Sequence, residues 1–122
     1  MLIQPTSRFR RITKVMDLKP GDIFVWKNPS TMENTGHTML VRDYPRTGRT
    51  SRSEILVPIY DSTSKPHSYG GAWDSRGTSR TGIGAGTIGI KVDSNGKGVA
   101  YYWSGGKSGD VTYRSMIGGR IE

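Results

Sequence analysis

The apolar residues of this chain fall in short runs rich in Val, Ile, Tyr and Trp, separated by Gly, Pro, Asn and Asp. No stretch of about a dozen residues carries the 3.6-residue apolar period of an amphipathic helix, so the pattern predicts strands joined by turns. Strands are expected over Ile23–Trp26, His37–Arg42, Glu54–Tyr60, Gly86–Asp93, Gly98–Ser104 and Ser115–Ile121. Ser94-Asn95-Gly96-Lys97 supplies a hairpin turn between the last two strands but one. Ile23-Phe24-Val25-Trp26 is apolar at every position, which suits a central strand. Pro58 has no ladder donor and marks the Glu54–Tyr60 strand as an edge or the site of a bulge.

The expected architecture is mainly β: a small antiparallel, barrel-like sheet of five or six strands. Its expected core holds Ile23, Val25, Met39, Val41, Leu56, Ile88, Ile90, Val99, Tyr101 and Ile117. Residues 1–16 read as an extended arm anchored by Phe9, Ile12 and Val15, and residues 17–122 as the barrel. Residues 61–83 read as one long polar loop, expected over an end of the sheet near His37; loops of that length are usually functional or disordered.

Composition narrows the picture. A chain of 122 residues is one domain's worth. Hydrophobic residues are 33% of it, below the usual ~45–50%, so the core is small. Glycine, at 17 residues, clusters at the ends of apolar runs where turns need it. No run approaches the ~18 apolar residues of a membrane-crossing helix. The basic N-terminus, MLIQPTSRFRRITKV, lacks the apolar region of a signal peptide. There is no cysteine, which excludes disulfides, thiolate metal sites and a thiol nucleophile from this chain. The net charge of +8 favours contact with an anionic polymer, although the charges are spread along the chain.

Several strings invite a chemical reading. Gly84-Ala85-Gly86-Thr87-Ile88-Gly89 fits GxGxxG, but it runs into the alternating Ile90-Lys91-Val92-Asp93 and not into a helix, so no dinucleotide site is expected. Gly106-Lys107-Ser108 resembles the end of a P-loop, but Tyr101 stands where the first glycine is required. Tyr101 and Trp103 share one face of a strand, which reads more readily as core than as a stacking platform. His37 opens one expected strand and Asp61 closes the next. In an antiparallel hairpin those ends are neighbours, and a carboxylate beside an imidazole fixes the ring's tautomer and stabilises its charged form. His67 and Asp74 lie in the long loop; with His37 and Asp61 they match no metal-ligand spacing, so neither a metal nor another cofactor is expected.

Asp17-Leu18-Lys19-Pro20-Gly21-Asp22-Ile23, then Thr35-Gly36-His37-Thr38-Met39-Leu40-Val41, then Tyr60-Asp61-Ser62-Thr63 together resemble the C-terminal barrel half of NlpC-type, papain-like cysteine hydrolases and their CHAP relatives. The resemblance covers roughly residues 17–63. It implies the barrel half of a papain-like α+β fold, acting on peptide or amide bonds, with cell-wall peptide as substrate class. It makes His37 the general base, Asp61 the residue that orients it, and Asp22 a structural acid of the turn. Trp26, Tyr60 and Trp73, near strand ends, are candidates to line the substrate groove. The family's nucleophile is a cysteine before the barrel, and this chain has none. The expectation is therefore a portion inactive alone, completed by an upstream Cys-bearing domain or chain, or else an intact inactive relative. Ser7 has no surroundings of a nucleophile. The resemblance places the protein in the cell envelope or outside the cell. The alternative is a non-enzymatic basic module that binds nucleic acid or a wall polymer through Lys65, Arg46, Arg49, Arg52, Arg76 and Arg80.

Overall fold

The computed structural model describes residues 9–32, 35–48, 54–106 and 110–122. Its strands are β1 (Phe9–Ile12), β2 (Ile23–Lys27), β3 (Gly36–Val41), β4 (Arg46–Thr47), β5 (Ile55–Thr63), β6 (Gly82–Val92), β7 (Gly98–Tyr102), β8 (Val111–Tyr113) and β9 (Met116–Ile121). They form one antiparallel sheet in the order β1-β9-β2-β3-β5-β6-β7-β8, with β4 paired to β5. Among the described residues, helical structure is confined to 3-10 turns at Val15–Asp17 and Tyr69–Gly71. The fold is thus mainly β and barrel-like, as expected, but the described residues hold nine strands and not five or six.

The sheet curls because strands twist and its inner face is apolar. The curl brings β7 near β9, and the segment before β2 meets the β6–β7 turn, where the Val15 amide donates to the Gly96 carbonyl at 3.0 Å. Trp26 of β2 stacks on Tyr101 of β7 inside the curl, with ring centroids 4.2 Å apart. The core is Ile12, Val15, Leu18, Phe24, Trp26, Met39, Val41, Ile55, Val57, Ile59, Ile88, Ile90 and Met116, with Val92, Tyr101 and Trp103 packed against it. No described helix is long and apolar enough to cross a membrane.

Four of the expected core positions, Met39, Val41, Ile88 and Ile90, are buried. Ile23, Val25, Leu56, Val99, Tyr101 and Ile117 are only half-buried. In β2 the inward residues are Phe24 and Trp26, one step from those expected. A strand apolar at every position offers no alternation from which to read its inner face. The expected arm contains a strand: β1 pairs with β9, burying Ile12 while Phe9 stays exposed. The expected 61–83 loop is shorter, because Asp61–Thr63 extend β5 and Gly82–Ile83 open β6.

Pro58 lies within a strand flanked on both sides, contrary to the edge expected. Its position is nonetheless a local edge. The Arg42 amide donates to the Pro58 carbonyl at 2.9 Å, the β3 ladder ends there for want of the N–H that would return the bond, and β4 pairs at Leu56 and Ile55. The turn before β2 is fixed by Asp22, which accepts from the Lys19 amide at 2.8 Å and from two nitrogens of Arg120, each at 2.8 Å. This is the structural role that the turn's acid was expected to have.

Candidate active site

His37 sits at the start of β3 and Asp61 near the end of β5. The pairs Leu40–Tyr60 and Val41–Ile59 put the two residues diagonally across the ladder with the same face parity. Both therefore point into the curl, and His37 Nε2 lies 2.7 Å from Asp61 Oδ2. The pairing expected from strand ends alone is present. His37 packs against two indoles that also meet each other, with ring centroids 5.2 Å from Trp26 and 5.1 Å from Trp103, which lie 6.4 Å apart. Its side chain keeps 14% of its surface exposed, whereas that of Asp61 has none. Nδ1 of His37 has no hydrogen-bond partner among the described residues.

The loop between β5 and β6 completes the cluster. It is docked on β6 by reciprocal bonds between Ser75 and Ala85, and on the residue after β7 by the Trp103 indole N–H, which reaches the Lys65 and Pro66 carbonyls at 3.0 and 3.1 Å. His67, fully buried, places Nε2 2.6 Å from Asp61 Oδ2 and Nδ1 2.6 Å from the Trp103 carbonyl. Arg76 donates from Nη2 to Asp61 Oδ1 at 2.8 Å and to Asp74 Oδ2 at 2.9 Å. Its Nε donates to Asp74 Oδ1 at 2.8 Å and its Nη1 to the Gly82 carbonyl at 2.9 Å. The Asp74 carboxylate also accepts from the amides of His67 and Arg76, at 2.9 and 2.8 Å.

The glycines of β6 make room for this cluster. A Cβ on Gly84 would lie 2.7 Å from Arg76 Nε, and one on Gly86 2.6 Å from Asp74 Oδ2. Gly84 and Gly86 are thus the floor under a buried ion network, at alternate positions because alternate residues face inward, while Gly89 of the same string faces Glu54.

Burial alone pushes the Asp61 carboxyl up. Hydrogen bonds from His37, His67 and Arg76, with the charge of His67, outweigh it and hold the group far below its ordinary 3.8. Burial likewise opposes charge on Asp74 and Asp22, and Arg76 and Arg120 respectively bring them below the ordinary value. Carboxylates with lowered folded-state values add stability that is present above the unfolded value and lost as pH falls through the folded one. The urea midpoint should therefore hold between about pH 6 and 5 and drop steadily below about pH 4. A midpoint unchanged from pH 5 to pH 3 would show that these carboxylates contribute nothing.

His37 Nε2, His67 Nε2 and Asp61 Oδ2 also form a group of metal-ligand type, all within 4.8 Å of one another. Ligands around a tetrahedral zinc, at about 2.0–2.2 Å from the ion, stand roughly 3.3 Å apart. The nitrogen–oxygen separations of 2.7 and 2.6 Å are those of shared hydrogens.

The other expected residues are placed as follows. Trp26 is buried beside His37. Tyr60 and Trp73 are exposed, and the Arg42 guanidinium lies 5.9 and 5.6 Å from their ring centroids. A cleft of about 540 Å3 opens beside Trp103, lined by Thr63, Lys65, Tyr69, Tyr101 and Asp110 among others. Arg76 is 4% exposed and committed to two carboxylates, so it cannot belong to the basic footprint expected of it. Arg49, Arg52, Ser7 and Lys107 lie outside the described residues. His67 and Asp74 were grouped with His37 and Asp61 only as a metal set, and Arg76 was not expected at this site at all; the alternate glycines of β6 were the available signal. Compared with family models, with curated proteins and with solved structures, the chain matches none.

Proposed function

We propose that this chain carries the base of a papain-like hydrolase acting on peptide or amide bonds, with a thiol supplied by another segment or chain. The observation that supports the reading is the His37–Asp61 pair. One ring nitrogen is tied to a carboxylate at 2.7 Å, and the other is bare on a partly exposed ring. In that reading Nδ1 takes the proton of the incoming thiol, and the thiolate attacks the carbonyl carbon. The imidazolium then returns the proton to the leaving amine, and water releases the acyl group from sulfur by the same base. Asp61 holds the ring's orientation and stabilises its charge. Trp26 and Trp103 pack against the ring and limit its rotation. The sequence resemblance makes cell-wall peptide the favoured substrate class and the cell envelope the setting.

The test uses the chain as it is, with mercaptoethanol as the thiol and a p-nitrophenyl ester of a short peptide as the acyl donor. Without thiol, no turnover is expected. With thiol, the chain should accelerate p-nitrophenol release at least about tenfold over His37→Ala, the low end of what a positioned general base supplies. Equal rates for the two proteins would end the proposal.

A further inference from the structure

Hydrogen-bond accounting at His67 leads to a role that the proposed mechanism does not contain. Nδ1 of His67 faces the Trp103 carbonyl, which only accepts, so that nitrogen carries hydrogen. Nε2 faces Asp61 Oδ2, and an ionised carboxylate also only accepts. Both contacts, at 2.6 Å, are satisfied together only by a ring that bears hydrogen on both nitrogens. Charge accounting gives the same answer. The buried groups are Asp61 and Asp74, each negative, and Arg76, positive. One further positive charge makes the cluster neutral, and uncompensated charge in such a place is costly. Two imidazoles compete for it. His67 is fully buried with acceptors at both nitrogens, and His37 is partly exposed with one nitrogen bare.

We propose that His67 is a positioning residue for the His37–Asp61 pair: its doubly protonated ring supplies the cluster's missing positive charge and so leaves His37 a neutral base. The carboxylate of Asp61 then offers roughly four lone-pair sites, of which Arg76 takes one on Oδ1 while His67 and His37 take those on Oδ2. His37 must donate from Nε2, and its lone pair is fixed on Nδ1, the nitrogen without a partner. This inference rests on the proposed hydrolase only in giving the bare nitrogen a task; the placement of the charge stands without it.

The experiment is a long-range proton–nitrogen NMR spectrum of the chain labelled with 15N-histidine, at pH 7. The wild-type spectrum should show His67 with hydrogen on both nitrogens and His37 with hydrogen on Nε2 alone. In His67→Gln the amide still donates to Oδ2 but the charge is gone. The cluster is then short of a positive charge, and the fraction of His37 bare at Nδ1 should fall by roughly tenfold or more. Adding Asp74→Asn to that variant removes one negative charge and should return His37 to the bare form, a rescue that a purely structural role for His67 would not produce. A bare nitrogen on His67 in the wild type overturns the proposal, and so does a His37 signal unchanged in His67→Gln. If that variant does not fold, the wild-type spectrum decides. The readout involves no hydrolysis, so a flat thiolysis assay beside the expected spectrum would remove the hydrolase reading and keep this one.

Discussion

Replacing Arg76 with alanine is expected to cost about 3–5 kcal/mol of unfolding free energy at pH 7, the loss typical of a buried ion cluster deprived of one partner. The reason is what the substitution leaves behind. Asp61 and Asp74 are both buried, and the guanidinium meets three of their four oxygens along with the Gly82 carbonyl. Without it the two carboxylates face each other's charge, with only the His37 and His67 rings on Asp61 and two backbone amides on Asp74. Their proton affinities must rise, so the variant should recover part of its deficit as the medium is acidified. The wild type moves the other way, since its lowered carboxyls lose their advantage below about pH 4. Urea unfolding at pH 7 and pH 4 should show the gap between the two proteins narrowing. Arg76→Lys should fall between them, because an ammonium restores the charge but not the planar fork that reaches both carboxylates. A gap independent of pH would mean that the loss comes from packing and not from orphaned charge.

That expectation depends on Arg76, which the sequence did not place beside Asp61 and Asp74. The strands were legible because β-branched and aromatic runs stop at turn residues, and the Ser94–Lys97 turn is where the string placed it: Asp93 accepts from the Asn95 and Lys97 amides, and Gly96 has φ +81. The His37–Asp61 pair was legible because both residues sit at adjoining ends of neighbouring strands. Whether they shared a face was not, since that depends on register, and register is set by which side of each strand is buried. In Ile23–Trp26 that information is missing from the sequence, and the inner face read there was the wrong one. β1, β4 and β8 escaped notice for a different reason. Their sequences, FRRI, RT and VTY, are short or charged, and pairing with a formed neighbour makes them strands.

The loop residues were illegible for a third reason. His67, Asp74 and Arg76 follow no period, and nothing local draws them to Asp61. They meet there because the chain folds back onto a strip of β6 that has no side chains in the way. The information lies in the strand that receives them: glycine at 82, 84 and 86 leaves one face bare over a length that a long polar loop must cover. A glycine stripe of period two, next to a polar insertion holding His, Asp and Arg, is a pattern that sequence reading can look for.

A single glycine places the base itself, and Gly36→Ala should be the most damaging one-carbon change at the site. Gly36 has φ +152, and a Cβ there would run into the Trp26 carbonyl oxygen and stand 3.0 Å from Lys27 Cα. Those atoms are backbone of β2, in the ladder where Lys27 pairs with Gly36 and Trp26 with His37, so no side chain can swing aside. The strands must part at the point where His37 is delivered to Asp61. Strain at the backbone together with the overpacking should cost about 2–5 kcal/mol. Gly21→Ala is the matched control. Its φ is +92, but nothing lies within 4 Å of the added carbon, so only the conformational penalty of about 1–2 kcal/mol applies. Urea titrations of the two variants separate the contributions. The thiolysis assay adds a second reading, in which Gly36→Ala should fall towards the His37→Ala rate under conditions where it remains folded, while Gly21→Ala keeps the wild-type rate. Equal stabilities and equal rates for the two would mean that the approach of β2 to β3 does not position His37.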